Sequence, residues 1–275
     1  MSARRRGRDG ERLPLGWVVR TALGLWRRRP IVFLGISALF GAQLWAVGRF
    51  AFGESGLYRP MTVLIVESTG RALAYSTTLG LTIAAASVAA IKRRPRLSEW
   101  SFPGLRSVPR ILVFELAATL MLRFWYSTAV LEIVRFNRMI DWQIVVGVCA
   151  GMGLVGYLVL QGFLGIVPAV LTVEGARLWP SLRRSVSLTA GNRWRVALLV
   201  LIPLALEAFL ELAVRLAMSF AAWETDAAAL VWEGAPLLIA GLFGSFNGVL
   251  LTSAHRWLCA EHDGVLPNEA AAAFD

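Results

Sequence analysis

The sequence predicts an all-α integral membrane protein: a bundle of six transmembrane helices with amphipathic interfacial helices on its cytoplasmic side. Three observations predict it. The 275 residues are only 17% charged and 57% hydrophobic, too few charges to solvate the outside of a water-soluble domain of that size. Six apolar runs, at 31–52, 72–91, 111–134, 144–173, 196–220 and 236–258, each reach the roughly 20 residues a helix needs to cross the hydrocarbon core, and lipid leaves such runs no alternative to helix. The segments between the runs alternate between arginine-rich and arginine-poor, as the positive-inside rule asks of successive loops.

Residues 1–30 form a basic cytoplasmic segment, with Arg4, Arg5, Arg6, Arg8, Arg12, Arg20, Arg27, Arg28 and Arg29 ahead of the first run. Within it, 13–29 sets Leu15, Val18, Val19, Ala22, Leu23 and Trp26 near one helical face with arginines around it, the pattern of a helix lying on anionic headgroups. Pro30 ends that helix and starts the first span. The first run is too long for a cleaved signal and ends at Arg49 and Gly53 without a small-x-small site, so it is expected to stay as a span. Lys92, Arg93, Arg94, Arg96, Arg106 and Arg110 follow the second run, and 97–108, with Trp100 and Phe102 as interfacial aromatics and Pro103 and Pro109 as punctuation, reads as a second surface helix. The fourth run is followed by Arg177, Arg183, Arg184, Arg193 and Arg195 and by a third surface helix, 178–188, with Gly191-Asn192 as its C-terminal stop. The intervening loops hold Arg49 and Arg59, then Arg135 and Arg138, and around Trp223–Glu233 no basic residue. The membrane domain is therefore 31–258, the tail 259–275 is short, and both termini are expected in the cytoplasm.

The net charge of +10 does not predict nucleic-acid binding, because the arginines gather at span ends rather than on a folded basic face with stacking aromatics. Anionic membrane lipids are the expected partners, with another membrane protein or a second copy of the chain as further candidates. Lys92 is the single lysine among 28 basic residues, which points to a G+C-rich bacterial genome and so to a plasma (inner) membrane. Cys149 falls within the fourth predicted span and Cys259 at the inner end of the sixth, and both are expected as small core residues.

Gly151-Met-Gly153-Leu-Val-Gly156 matches the dinucleotide pattern GxGxxG, but that pattern needs a strand, a turn and an opening helix. Inside an apolar run it reads as helix packing through Gly147, Gly151 and Gly156, and Gly241, Gly244 and Gly248 in the last run read the same way. His255, Glu261, His262 and Asp263 cluster at the end of that run, yet their spacing fits no common metal site. No metal and no cofactor are expected, and no Ser, His and Asp assemble into a catalytic set.

Ionisable groups inside spans are retained for a partner or a function. At about 1.5 Å per residue, Arg123 lies roughly 20 Å from the inner end of the third span and Glu207 roughly 18 Å from that of the fifth. The same ruler brings Gln43, Thr78 or Thr82, Gln161 and Asn247 to similar depth, so each span contributes one polar group to a midplane layer. Two readings stand: a clasp of hydrogen bonds and ion pairs holding the bundle together, or a polar cavity for a headgroup, ion or solute. Glu174, with Arg183 and Arg184 behind it, likewise reads as a structural bridge to the third surface helix or as part of a lipid-phosphate site.

The stretch Pro168-Ala-Val-Leu-Thr-Val-Glu174-Gly, followed by Arg184-Ser185 and Gly191–Trp194 and then a new span, resembles the membrane domain of glycerophosphoryl diester phosphodiesterases and its stand-alone relatives. Where such proteins end their last span in a Tyr-Tyr-Asp-Leu-Arg-like sequence, this chain has Ser253-Ala-His255-Arg256-Trp257-Leu258. The resemblance implies a helical membrane domain. The phosphodiesterase activity of that family belongs to a separate barrel with histidines and metal-binding carboxylates, for which this chain, with His255 and His262 alone, has no room. The expected function is thus a non-catalytic bacterial inner-membrane protein, lipid-associated or scaffolding in envelope maintenance. The rival expectation is a small-solute or lipid transporter using the polar midlayer.

Overall fold

The computed structural model describes residues 12–52, 60–92, 96–136, 142–220 and 226–263. Their regular structure is entirely helical: α1 (Leu15–Arg28), α2 (Pro30–Phe52), α3 (Pro60–Ile91), α4 (Leu97–Phe136), α5 (Trp142–Leu164), α6 (Val167–Val173), α7 (Leu178–Leu188), α8 (Arg193–Phe220) and α9 (Asp226–Asp263). Among the described residues, five stretches are long and apolar enough to cross a membrane, in α2, α3, α5 with α6, α8 and α9. In α4, which carries the third predicted span, the side chains from residue 119 onward lie outside the described residues.

α3 and α9 form the centre. Of their span residues 67% and 61% are buried, against 28% in α2 and α8. α3 packs on α2, α4 and α9, and α9 on α1, α2, α3 and α8. The outward faces are apolar too: Leu206, Phe209, Leu212 and Leu216 of α8 and Val155 and Val159 of α5 are exposed. A surface of that kind suits hydrocarbon and not water.

Small residues bring the central helices together. A Cβ at Gly241 of α9 would strike the Ser37 carbonyl of α2, and one at Gly248 would lie 2.8 Å from Thr82 of α3. Gly244 has room, with Thr78 at 3.8 Å from such a Cβ. Ser37 donates to Ser245 across the α2–α9 contact at 2.9 Å. The glycine stripe expected in the fourth run does not pack in this way. A Cβ at Gly151 or Gly153 would meet nothing within 4 Å, Gly156 is exposed, and the surroundings of Gly147 lie outside what the structure describes. α5 instead approaches α8 through Gly162, where a Cβ would lie 3.1 Å from the Arg193 carbonyl oxygen.

The basic end of the bundle departs from expectation in three places. Residues 97–108 do not form a separate surface helix but open α4, which runs through Pro103 and Pro109 without interruption. Trp100, Gly104, Ser107, Val108 and Ile111 are buried along one helical face, and Gly80 and Gly104 bring α3 and α4 together so closely that a Cβ on either would press on the other's carbonyl oxygen, at 2.8 and 3.0 Å. That burial outweighs the single hydrogen bond each proline removes. The fourth run is not one helix either. It breaks at Gly165 and Ile166, where a Cβ at Gly165 would lie 2.5 Å from the Gln161 carbonyl oxygen and Pro168 brings no N–H to continue the ladder. Third, α7 turns serines inward: Ser181, Ser185 and Leu188 are buried while Trp179 is 64% exposed. The reason lies in the break, because the freed Phe163 carbonyl accepts from Ser185 at 2.8 Å.

α1 is amphipathic as expected, but its apolar face docks on the bundle. Val18, Ala22 and Leu25 join the core cluster. Its start is clasped to the turn before α8, where the Leu13 N–H donates to Asn192 at 2.7 Å and the Leu13 carbonyl accepts from Arg195 at 2.6 Å. Gly191, at φ 80°, makes the left-handed turn that holds Asn192 there.

Candidate functional site

The bundle interior holds a polar cluster drawn from several helices. Asn247 of α9 donates to the Tyr75 hydroxyl of α3 at 3.0 Å. Glu115 of α4 and Glu207 of α8 both act electrostatically on Tyr75 and on Tyr157 of α5, and Tyr157 hydrogen-bonds Gln161. Of the expected midlayer residues, Asn247 thus meets Tyr75 and Gln161 meets Tyr157. Thr78 is buried near Gly244, and Gln43 has a buried Oε1 without a hydrogen-bond partner among the described residues. The Arg123 side chain, and with it the Arg123–Glu207 pair, lies outside the described residues. Tyr75, Glu115 and Tyr157 were not anticipated. Glu115 was visible as a carboxylate inside the third run; the tyrosines gave no signal, since an aromatic in a span is ordinarily core or interface.

A second cluster forms at the basic end, where α6, α7 and α9 meet. α6 ends at Glu174, and Gly175, at φ 64°, turns the chain toward α7. The Glu174 Oε1 then lies 3.0 Å from His255 Nε2, 3.5 Å from Arg184 Nε and 3.9 Å from Cys259 Sγ. His255 and Cys259 are one helical turn apart on α9, with Nε2 and Sγ at 3.4 Å. Arg184 is clamped on its other side by both Asp263 oxygens, one through Nη1 at 3.2 Å and the other through Nη2. Ser187 and His262 meet at 3.0 Å, and His262 also reaches Asp263 at 3.0 Å. Arg110 of α4 closes the edge by donating to the carbonyls of Gly175 and Ala176 at 3.0 and 3.1 Å.

Burial alone would push the Glu174 carboxyl up, but the hydrogen bond and charge of His255, with the Arg184 guanidinium, carry it below its ordinary value. Arg184 is held above its ordinary value, first by its hydrogen bond to Asp263 and then, against burial, by the charge of Glu174. Glu174 and Arg184 therefore bridge the end of α6, α7 and α9. Arg183 takes no part. It is exposed and stacks on the Trp179 ring, 5.3 Å from its centroid. Cys259 packs partly against the core cluster, as expected, and its sulfur also faces Glu174 and His255; the Cys149 side chain lies outside the described residues.

No known protein family, curated protein or solved structure matches this chain.

Proposed function

We propose that the chain is a non-catalytic, six-span bacterial plasma-membrane protein, both termini cytoplasmic, whose basic end grips anionic lipid in a lipid-linked or scaffolding role in envelope maintenance. The observation that carries this reading is what α1 and α7 leave facing outward once docked. α1 presents Arg20 one turn from Trp17, with Arg27 and Arg28 at its far end, and α7 presents Arg183 against Trp179, all exposed. Guanidinium groups next to indole rings suit the headgroup layer, where the ring sits among the acyl ends and the cation meets phosphate. The resemblance of 168–194 to the membrane domain of the phosphodiesterases supports a role near phospholipid.

Reconstitution tests this. Phosphatidylglycerol or cardiolipin is expected to raise the thermal unfolding midpoint of the purified protein more than phosphatidylcholine does. The difference should shrink as the screening length falls from about 10 Å at 0.1 M salt to about 3 Å at 1 M. Arg27→Ala, Arg28→Ala and Arg183→Ala together should remove most of the difference. Equal stabilisation by a zwitterionic bilayer would overturn the reading.

The Tyr75, Glu115, Tyr157, Glu207 and Asn247 cluster favours a second reading, translocation of a lipid or small solute along the interior. Carboxylates facing a bundle interior commonly mark such a path. Under this reading, proteoliposomes scramble a fluorescent phospholipid, and Glu115→Gln with Glu207→Gln stops the scrambling while leaving a monodisperse, helical protein. Wild-type vesicles no faster than empty ones would remove lipid translocation.

A further inference from the structure

We propose that Glu174, His255 and Cys259 form a tetrahedral zinc site with one open position, at the junction of α6, α7 and α9. The three donor atoms make a triangle with edges of 3.0, 3.4 and 3.9 Å. In a tetrahedron the edge is about 1.6 times the bond length, so zinc bonds of about 2.0–2.3 Å separate neighbouring donors by about 3.3–3.8 Å. The observed triangle needs adjustments of only a few tenths of an ångström to hold the ion above its centre. One sulfur, one imidazole nitrogen and one carboxylate oxygen suit zinc; magnesium and calcium call for oxygen alone.

The surroundings fit the same ion. His255 and Cys259 share a face of α9 one turn apart, so the helix fixes two donors in advance. His255 is buried and Glu174 is exposed, which gives the site a rigid floor and an opening to solvent for entry and exchange. A thiolate and a carboxylate together neutralise a divalent cation. Arg184, which also touches Glu174, is doubly held by Asp263, so its charge stays compensated when Glu174 turns to the metal. The His255 Nδ1 is buried with no hydrogen-bond partner among the described residues. It is the nitrogen that carries the proton once Nε2 binds metal, and a water in the site would complete it. Three protein ligands leave the fourth position for a water or an anionic oxygen, with Arg184 beside it.

The experiment is a Co2+ titration of the full-length chain, purified in detergent, stripped with chelator and desalted. The expected result is a sulfur-to-cobalt charge-transfer band and the visible bands of tetrahedral cobalt, saturating at one Co2+ per chain and displaced by Zn2+. Cys259→Ser should abolish the charge-transfer band. Glu174→Gln should weaken zinc binding by more than the roughly 10–100-fold that outer-shell changes cost. His262→Gln, next to the triangle but outside it, should leave spectrum and stoichiometry unchanged. The wild-type spectrum needs no variant to fold: absence of the charge-transfer band overturns the site. So does a band that survives Cys259→Ser in helical, monodisperse protein, or one that is lost equally with His262→Gln, which would identify an adventitious ion only.

Discussion

Gly241→Ala is expected to destabilise the bundle by about 1–3 kcal/mol, and Gly241→Leu by more, because overpacking forces the backbone to move. The added Cβ meets the carbonyl oxygen, carbonyl carbon and Cα of Ser37, the last two at 3.1 and 3.3 Å. These are backbone atoms of α2 and cannot swing aside as a side-chain tip can. Separating α2 from α9 also breaks the Ser37–Ser245 hydrogen bond, which is buried and has no water to replace it. Gly151→Ala is the matched control. It lies in the helical interior of α5 with open space around it, so replacing glycine there should be neutral or stabilising by up to about 1 kcal/mol. Thermal unfolding in detergent, with size-exclusion to confirm a single species, measures both. Equal losses at the two sites would mean that α2 and α9 are not in backbone contact at Gly241.

Glu174→Gln is expected to cost about 1–3 kcal/mol in metal-free protein kept under chelator, since His255 and Arg184 lose a common charged partner. It should also change the pH profile. The folded Glu174 carboxyl lies below its ordinary value of 4.5, so the unfolded chain takes up the proton first as pH falls. The stabilisation is complete above pH 4.5 and is lost as pH drops through the folded value. Wild type should therefore show an acid limb below pH 4.5 that is shallower in Glu174→Gln. Parallel pH profiles for the two proteins would place the Glu174 contribution elsewhere than in its ionised form.

The spans were legible because lipid enforces one simple rule, a long apolar run, and α2, α3, α8 and α9 obey it without help from distant residues. What escaped was decided by packing. Pro103 and Pro109 read as punctuation, yet the contact of Gly80 with Gly104 holds 97–108 in line with α4. Gly151 and Gly165 look equally small in the sequence, but the first faces open space and the second stands at a break that Ser185 closes. In the sequence His255 stands in a cluster that fits no metal site and Cys259 reads as a small core residue, because the partner that joins them, Glu174, lies 81 residues from His255. A depth ruler says nothing about azimuth, and only the arrangement of helices sets Asn247 against Tyr75 and Gln161 against Tyr157.

The clasp on Leu13 has a consequence in time. Its partner Asn192 is 179 residues further along the chain, and at about 5–20 residues per second a ribosome needs roughly 10–40 s to make that distance. Throughout that interval α1 has emerged while the turn that fastens it does not yet exist. Its apolar face, Val18, Ala22 and Leu25, must wait on the membrane surface or on a chaperone while α2 to α7 are being made. Docking of α1 is then among the last events of assembly, and protection of this segment from added protease would report that the rest of the bundle has closed.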